Sequence, residues 1–98
     1  MPTADETDQN RAIITVLGHD RPGIVAAVST ELSERSANIL DISQTILQGT
    51  FTMTMLVDLA LVKTDFSELK GALDALSERL GVQIRIQREE VFHYMYRL

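Results

Sequence analysis

Arg11-Ala12-Ile13-Ile14-Thr15-Val16-Leu17-Gly18-His19-Asp20-Arg21-Pro22-Gly23-Ile24-Val25-Ala26-Ala27-Val28 changes its hydrophobic period in mid-course, and that change decides the fold. Ala12 to Gly18 is short and rich in β-branched residues, which predicts a largely buried strand ending at the glycine. Asp20-Arg21-Pro22-Gly23 then supplies an Asp able to cap a helix and a Pro suited to a first helical turn. Beyond it Ile24, Val25, Val28 and Leu32 recur at helical spacing with Ser29, Glu31 and Glu34 opposite them. That is an amphipathic helix running to about Ser36.

Downstream the period returns to two. Asn38 to Gln48 alternates loosely, with Leu40, Ile42 and Ile46 on one parity and Asp41, Ser43 and Thr45 on the other. After a short turn at Gln48-Gly49-Thr50, Phe51 to Leu61 carries an apolar residue at every odd position, so the pair reads as a β-hairpin. Asp65 followed by Glu68 resembles a capping box, Phe66, Leu69, Leu73, Leu76 and Leu80 form an apolar stripe, and Gly81 closes the helix. Val82, Ile84 and Ile86 alternate with Gln83, Arg85 and Gln87 as a last strand. Phe92, Met95 and Tyr96, at i, i+3 and i+4, predict a short C-terminal helix. The order is βαββαβ, an α+β fold of the ferredoxin-like kind, with a four-stranded antiparallel sheet and two helices on one face.

The chain has 98 residues, enough for one domain, and its 45% hydrophobic content is that of an ordinary globular protein. Residues 1–10 read as a disordered acidic tail and 11–98 as a single domain. Nine Lys and Arg against fourteen Asp and Glu give a net charge of −5; Asp5, Glu6 and Asp8 lie in the tail, so the domain itself stands at nine against eleven, or −2. A nearly balanced domain without a basic cluster lacks the footprint of a nucleic-acid binder. With no cysteine, thiol catalysis, disulfide scaffolds and Cys-ligated metals are excluded. The longest apolar run, Ile24 to Val28, is far short of the ~20 residues that span a bilayer, and residues 1–10 have no signal-peptide character. A cytoplasmic location without membrane contact is expected.

The uncovered sheet face narrows the roles of such a fold. Its candidate residues are Thr15, Asp41, Ser43, Thr45, Thr52, Thr54, Gln83, Arg85 and Gln87, none of them an aromatic on which a base could stack. Arg21 and Asn38 could superficially serve an acylphosphatase-like enzyme, but the glycine-rich phosphate cradle is missing. His19 and His93 have no third ligand at useful spacing, so neither a metal nor a cofactor is expected. The first loop is more informative. A helix N-terminus suits a carboxylate, Gly23 permits close approach, Asp20 can accept from an ammonium, and Asn38 offers donors and an acceptor. Together they would suit a small zwitterion such as an amino acid.

Asp20-Arg21-Pro22-Gly23-Ile24 after a first strand, with Asn38-Ile39 opening the second, resembles the ACT domain, a small-ligand regulatory module. Gly18-His19-Asp20, Asp41-Ile42-Ser43-Gln44-Thr45, Phe51-Thr52-Met53, Ile86-Gln87-Arg88-Glu89 and Phe92 with Met95 narrow the resemblance to the stand-alone UPF0237 group. The resemblance implies a non-catalytic homodimer with effector sites between subunits, held by Asp20, Pro22, Gly23 and Ile24 of one chain and Asn38 and Ile39 of the other. Serine-binding relatives carry Asn where this chain has Asp20, which implies a different ligand or one that brings a positive group. Three of the five aromatics fall in the last ten residues, so Phe92, Met95 and Tyr96 are expected at the dimer interface. The alternative function is a structural or protein-interaction dimer without a ligand, with an unknown protein as its partner.

Overall fold

The computed structural model describes residues 10–89. The expected tail over 1–10 and C-terminal helix over 89–98 lie outside them apart from Asn10 and Glu89, and so do Phe92, Met95 and Tyr96. The elements run β1 (Arg11–His19), α1 (Ile24–Glu34), β2 (Asn38–Leu47), β3 (Thr50–Asp58), α2 (Phe66–Leu80) and β4 (Gln83–Arg88). The strands form one antiparallel sheet in the order β2-β3-β1-β4, so β1 and β3 are central and β2 and β4 are the edges. This is the expected ferredoxin-like α+β architecture.

Alternation along β1 sends Ala12, Ile14 and Val16 into a single core with Phe51, Met53, Met55 and Val57 of β3 and Ile84 and Ile86 of β4. Ile24, Val28 and Leu32 of α1 and Leu69, Leu73 and Leu76 of α2 close that core from one side. Cross-strand partners share a face, so the opposite face carries Ile13 beside Leu56, Thr15 beside Thr54 and Arg85, and Leu17 beside Thr52 and Gln83. The polar open-face residues expected from sequence are all there. Ile13, Leu17 and Leu56 join them and give that face an apolar centre.

The strand does not end at Gly18. It continues to His19, and Gly18 is where β1 meets the start of β4: a Cβ there would lie 2.6 Å from Val82 Cγ1. Gly18→Ala is therefore expected to cost about 1–3 kcal/mol by overpacking. Urea denaturation measures it, and Val82→Ala in the same background should recover part of the loss.

Both helices end by backbone rules. Asp65 accepts from the Glu68 N–H at 2.8 Å, and Gly81, at φ 69°, donates to the Ser77 carbonyl at 2.9 Å, so both predicted caps of α2 are present. α1 stops at Glu34 rather than Ser36 because Ser36 turns left-handed, at φ 64°. Ala37 N–H then reaches the Leu32 carbonyl at 3.0 Å and Ser36 N–H the Ser33 carbonyl at 3.1 Å, a Schellman motif with serine in the position that favours glycine. Ser36→Gly relieves that conformation at some cost in unfolded-state entropy. A net gain of about 0.5–1 kcal/mol is expected in thermal or chemical unfolding.

β3 ends at Asp58, not Leu61, because Asp58 Oδ1 accepts from the Ala60 N–H at 2.9 Å and turns the chain. Leu59 N–H donates to the Asn10 carbonyl at 2.6 Å, so Asn10 belongs to the folded body rather than to the tail. β2 is irregular at Leu40, where a bulge separates the Ile39–Val57 pair from the Asp41–Leu56 pair. The bulge allows Ile39 and Ile42, three residues apart, to share the helix side of the sheet.

Candidate functional site

At one end of the sheet His19 lies opposite Thr50, and Gln48 and Gly49 join β2 to β3. Both turn residues have positive φ, 51° and 79°, as a two-residue type I′ hairpin loop requires. The Gly49 carbonyl accepts from the Asp20 N–H at 2.9 Å, so the hairpin turn holds the loop that follows β1. Arg21 holds it on the other side, its guanidinium donating to the Leu80 carbonyl in the last turn of α2. Residues 20–23 are thus clamped between a hairpin and a helix end.

Two sequence expectations fail here. Asp20 does not cap α1: the N-cap is Gly23, at φ 91°, with no side-chain acceptor and no acidic residue in the first turn. Pro22 precedes the helix instead of occupying its first turn. The first N–H groups of α1 are accordingly left without a side-chain cap. Space beside Gly23 is open, since a Cβ there would meet nothing within 4 Å. A positive helix end beside an exposed Asp20 carboxylate is an arrangement that complements both ends of a zwitterion. The Ile24 side chain is buried in the core and does not face this space.

Asn38 and Ile39 are elsewhere. Asn38 pairs with Asp58, which is level with Arg11 at the far end of β1, whereas the clamped loop adjoins His19. Eight residue steps of strand put the two groups roughly 27 Å apart within one chain. Asn38 is exposed and lines a shallow cleft with Ser33, Ser36, Ala37, Asp58 and Leu61. Ile39 is half-buried against the core. The same separation removes the acylphosphatase-like arrangement, since Arg21 is bound to α2 and Asn38 is at the opposite end of the sheet. Among the described residues no three His, Asp or Glu cluster in a way that could hold a metal ion.

What connects the two ends is β2 itself, an edge strand whose apolar side chains are left in solvent: Leu40 is 44% exposed, Ile42 42%, Ile46 56% and Leu47 71%. Sequence parity pointed to alternation on this strand but not to the lack of a covering helix. The signal was available in the strand order, which leaves the second strand of this fold at an edge.

The ACT domain family model matches residues 10–87, from the turn before β1 to the end of β4. This chain belongs to the ACT domain family. A UPF0237 protein of Methanocaldococcus jannaschii is 51% identical over 89 residues, covering 91% of this ACT chain and 99% of that protein. Another, from Bifidobacterium longum, is 52% identical over 91% of this chain and 99% of its own length. Among solved structures, an ACT domain protein from Streptococcus pneumoniae matches with a TM-score of 0.75 and 45% identity over 88% of this chain and 97% of that one. The fold of this ACT domain and its UPF0237 relationship are those expected from its motifs. Among the described residues no helix is long and apolar enough to cross a membrane.

Proposed function

We propose that this ACT domain is a non-catalytic, cytoplasmic regulatory homodimer that holds an amino acid between subunits. The first loop of one chain and Asn38 and Ile39 of the other form each site. The observation that carries the reading is the separation of these two groups to opposite ends of one chain, joined by an exposed apolar edge. A two-fold axis through the middle of β2 would pair the strand antiparallel with its copy. Asn38 would then lie across from Leu47 of the partner subunit, beside the hairpin turn that clamps the partner's loop. One edge thus buries the apolar side chains and assembles two equivalent sites.

The ligand carboxylate would take the uncapped N–H groups of α1, its ammonium Asp20, and its side chain the space beside Gly23 and the Asn38 carboxamide. Occupancy would then be read out as a change in association, or in contacts with a protein partner. Calorimetry and thermal shift against each proteinogenic amino acid, run at several protein concentrations, test the reading. A ligand at a hundred times its Kd is expected to stabilise by about 2.7 kcal/mol, which lifts Tm by roughly 10–20 °C in a domain of this size. A dimer that responds to no amino acid contradicts the ligand half and leaves a protein-interaction dimer. A monomer at every concentration contradicts the whole reading.

A further inference from the structure

The outer edge of β2 carries one hydrogen bond that the sheet does not require. Asp41 Oδ1 accepts from the N–H of the next residue, Ile42, at 2.9 Å. A strand residue turns its N–H and C=O either toward the neighbouring strand or away from it, and the register decides which. Leu47 and Thr50 flank the two-residue loop Gln48-Gly49, so they form the hydrogen-bonded pair that closes the hairpin. The register runs back unbroken from there, and Thr45, Ser43 and Asp41 likewise bond to β3, through Thr52, Thr54 and Leu56. Ile46, Gln44 and Ile42 therefore direct their backbone groups outward. Of these three outward N–H groups, only that of Ile42 has a side-chain acceptor among the described residues.

A second copy pairing with this edge needs those groups. β2 has ten residues, and with Leu40 bulged nine remain in the ladder. In the register that sets Asn38 across from the partner's Leu47, the middle one, Ser43, lies on the two-fold. Every pair then shares a sheet face: Ile39 with the partner's Ile46, Asp41 with the partner's Thr45, and Ile42 with the partner's Gln44. Ile42 and Gln44 are both outward residues, so the pairs they make on either side of the axis are hydrogen-bonded ones, four bonds in all. Ile42 donates two of the four, one from each copy. In the separate chains Asp41 holds both of those donors.

We propose that Asp41 is a latch on this edge: it closes the Ile42 N–H in the single chain and has to release it before β2 can pair with a second copy. The latch rests on the β2 dimer set out above and supplies what opposes its association. Asp41 is exposed, so its released carboxylate passes to water. Charged side chains on sheet edges deter indiscriminate pairing. Displacing this one takes a strand that offers the full set of ladder bonds together with apolar cover for Ile42 and Ile46. A copy of β2 offers both.

Sedimentation equilibrium of the wild type, Asp41→Ala and Asp41→Asn tests the latch, with circular dichroism to confirm folding. Asp41→Ala is expected to tighten the dimer about ten- to thirtyfold, because each copy no longer gives up a bond worth roughly three- to sixfold in an equilibrium constant. Asp41→Asn loses the charge but keeps an acceptor oxygen, and is expected to stay within about threefold of the wild type. An Asn variant as tight as the Ala variant would overturn the latch in favour of plain charge repulsion, and three equal dissociation constants would overturn it outright. Ser43→Cys, in a chain without native cysteine, reports the pairing separately. The two-fold puts the two residues opposite each other at a non-hydrogen-bonded pair, about 4.5 Å between Cα atoms, so oxidation is expected to link the copies. A dimer that links through Ser43→Cys but ignores Asp41→Ala loses the latch and keeps the β2 edge. A dimer that does not link through Ser43→Cys overturns the pairing and the latch with it, and so do monomers from wild type and Asp41→Ala alike.

Discussion

Replacing Ile42 and Ile46 together by lysine is expected to turn the proposed dimer into a folded monomer and to abolish the proposed response to amino acids. Both side chains project from β2 on the helix side and are 42% and 56% exposed in the single chain, so the core does not need them. A dimer would bury four of these side chains, two from each copy. Losing about 1 kcal/mol for each partly buried isoleucine amounts to about 4 kcal/mol, close to a thousandfold in the dimer dissociation constant. Four ammonium groups brought to one seam add like-charge repulsion, the device by which natural edges resist pairing. Sedimentation velocity with circular dichroism checks the outcome. A folded variant that still sediments as the wild type would remove β2 as the dimer edge.

The largest effect on stability is expected from Glu89→Ala. Its carboxylate and the Arg11 guanidinium meet through one charge-assisted hydrogen bond, Nη2 to Oε1 at 2.7 Å, and an ion contact of Nε with Oε2 at 2.6 Å, with side-chain exposures of 7% for Glu89 and 24% for Arg11. Truncating one member of a fully buried pair costs about 3–5 kcal/mol, because the remaining charge is stranded. Arg11 keeps part of its solvent contact, so about 2–3 kcal/mol is expected, or roughly 10–20 °C in Tm for a domain of this length. The double replacement Arg11→Met with Glu89→Leu should recover most of that loss, since neither charge is then left behind. Thermal denaturation of both singles and the double closes the cycle. Losses that simply add would show that the pair is not coupled.

The elements and the core were legible in the sequence because each rests on local periodicity. The alternation of Ala12, Ile14 and Val16 and the stripe of Leu69, Leu73 and Leu76 have one buried face each, and the fold gives each face a partner. Strand ends were less legible. Asp58 stops β3 through its own side chain, and Ser36 stops α1 by a left-handed turn that nothing but its place after Arg35 announces.

Where the residues expected at a ligand site would lie was not legible in the sequence. Asp20 looks like a cap in Asp20-Arg21-Pro22-Gly23, yet its backbone is committed to Gly49 and the helix starts from glycine instead. Arg21 looks like an anion ligand, yet it satisfies a carbonyl of α2 from 59 residues away. Contacts of that sequence separation leave no periodic trace. Asn38 and the first loop are one site only if two chains meet, because antiparallel register carries them to opposite ends of one sheet.

Complementation between two site variants tests that claim most directly. Gly23→Val strains the left-handed N-cap and fills the open space beside it, while Asn38→Ala removes the amide from the other half. Each homodimer alone should fail to bind the amino acid that gives the wild type its largest thermal shift. Mixed one to one, exchanged and titrated by calorimetry, they should regain binding at about a quarter of the sites, because random pairing makes half of the dimers mixed and each mixed dimer keeps one undamaged site. A mixture as silent as its two parents would contradict a site built across the two-fold.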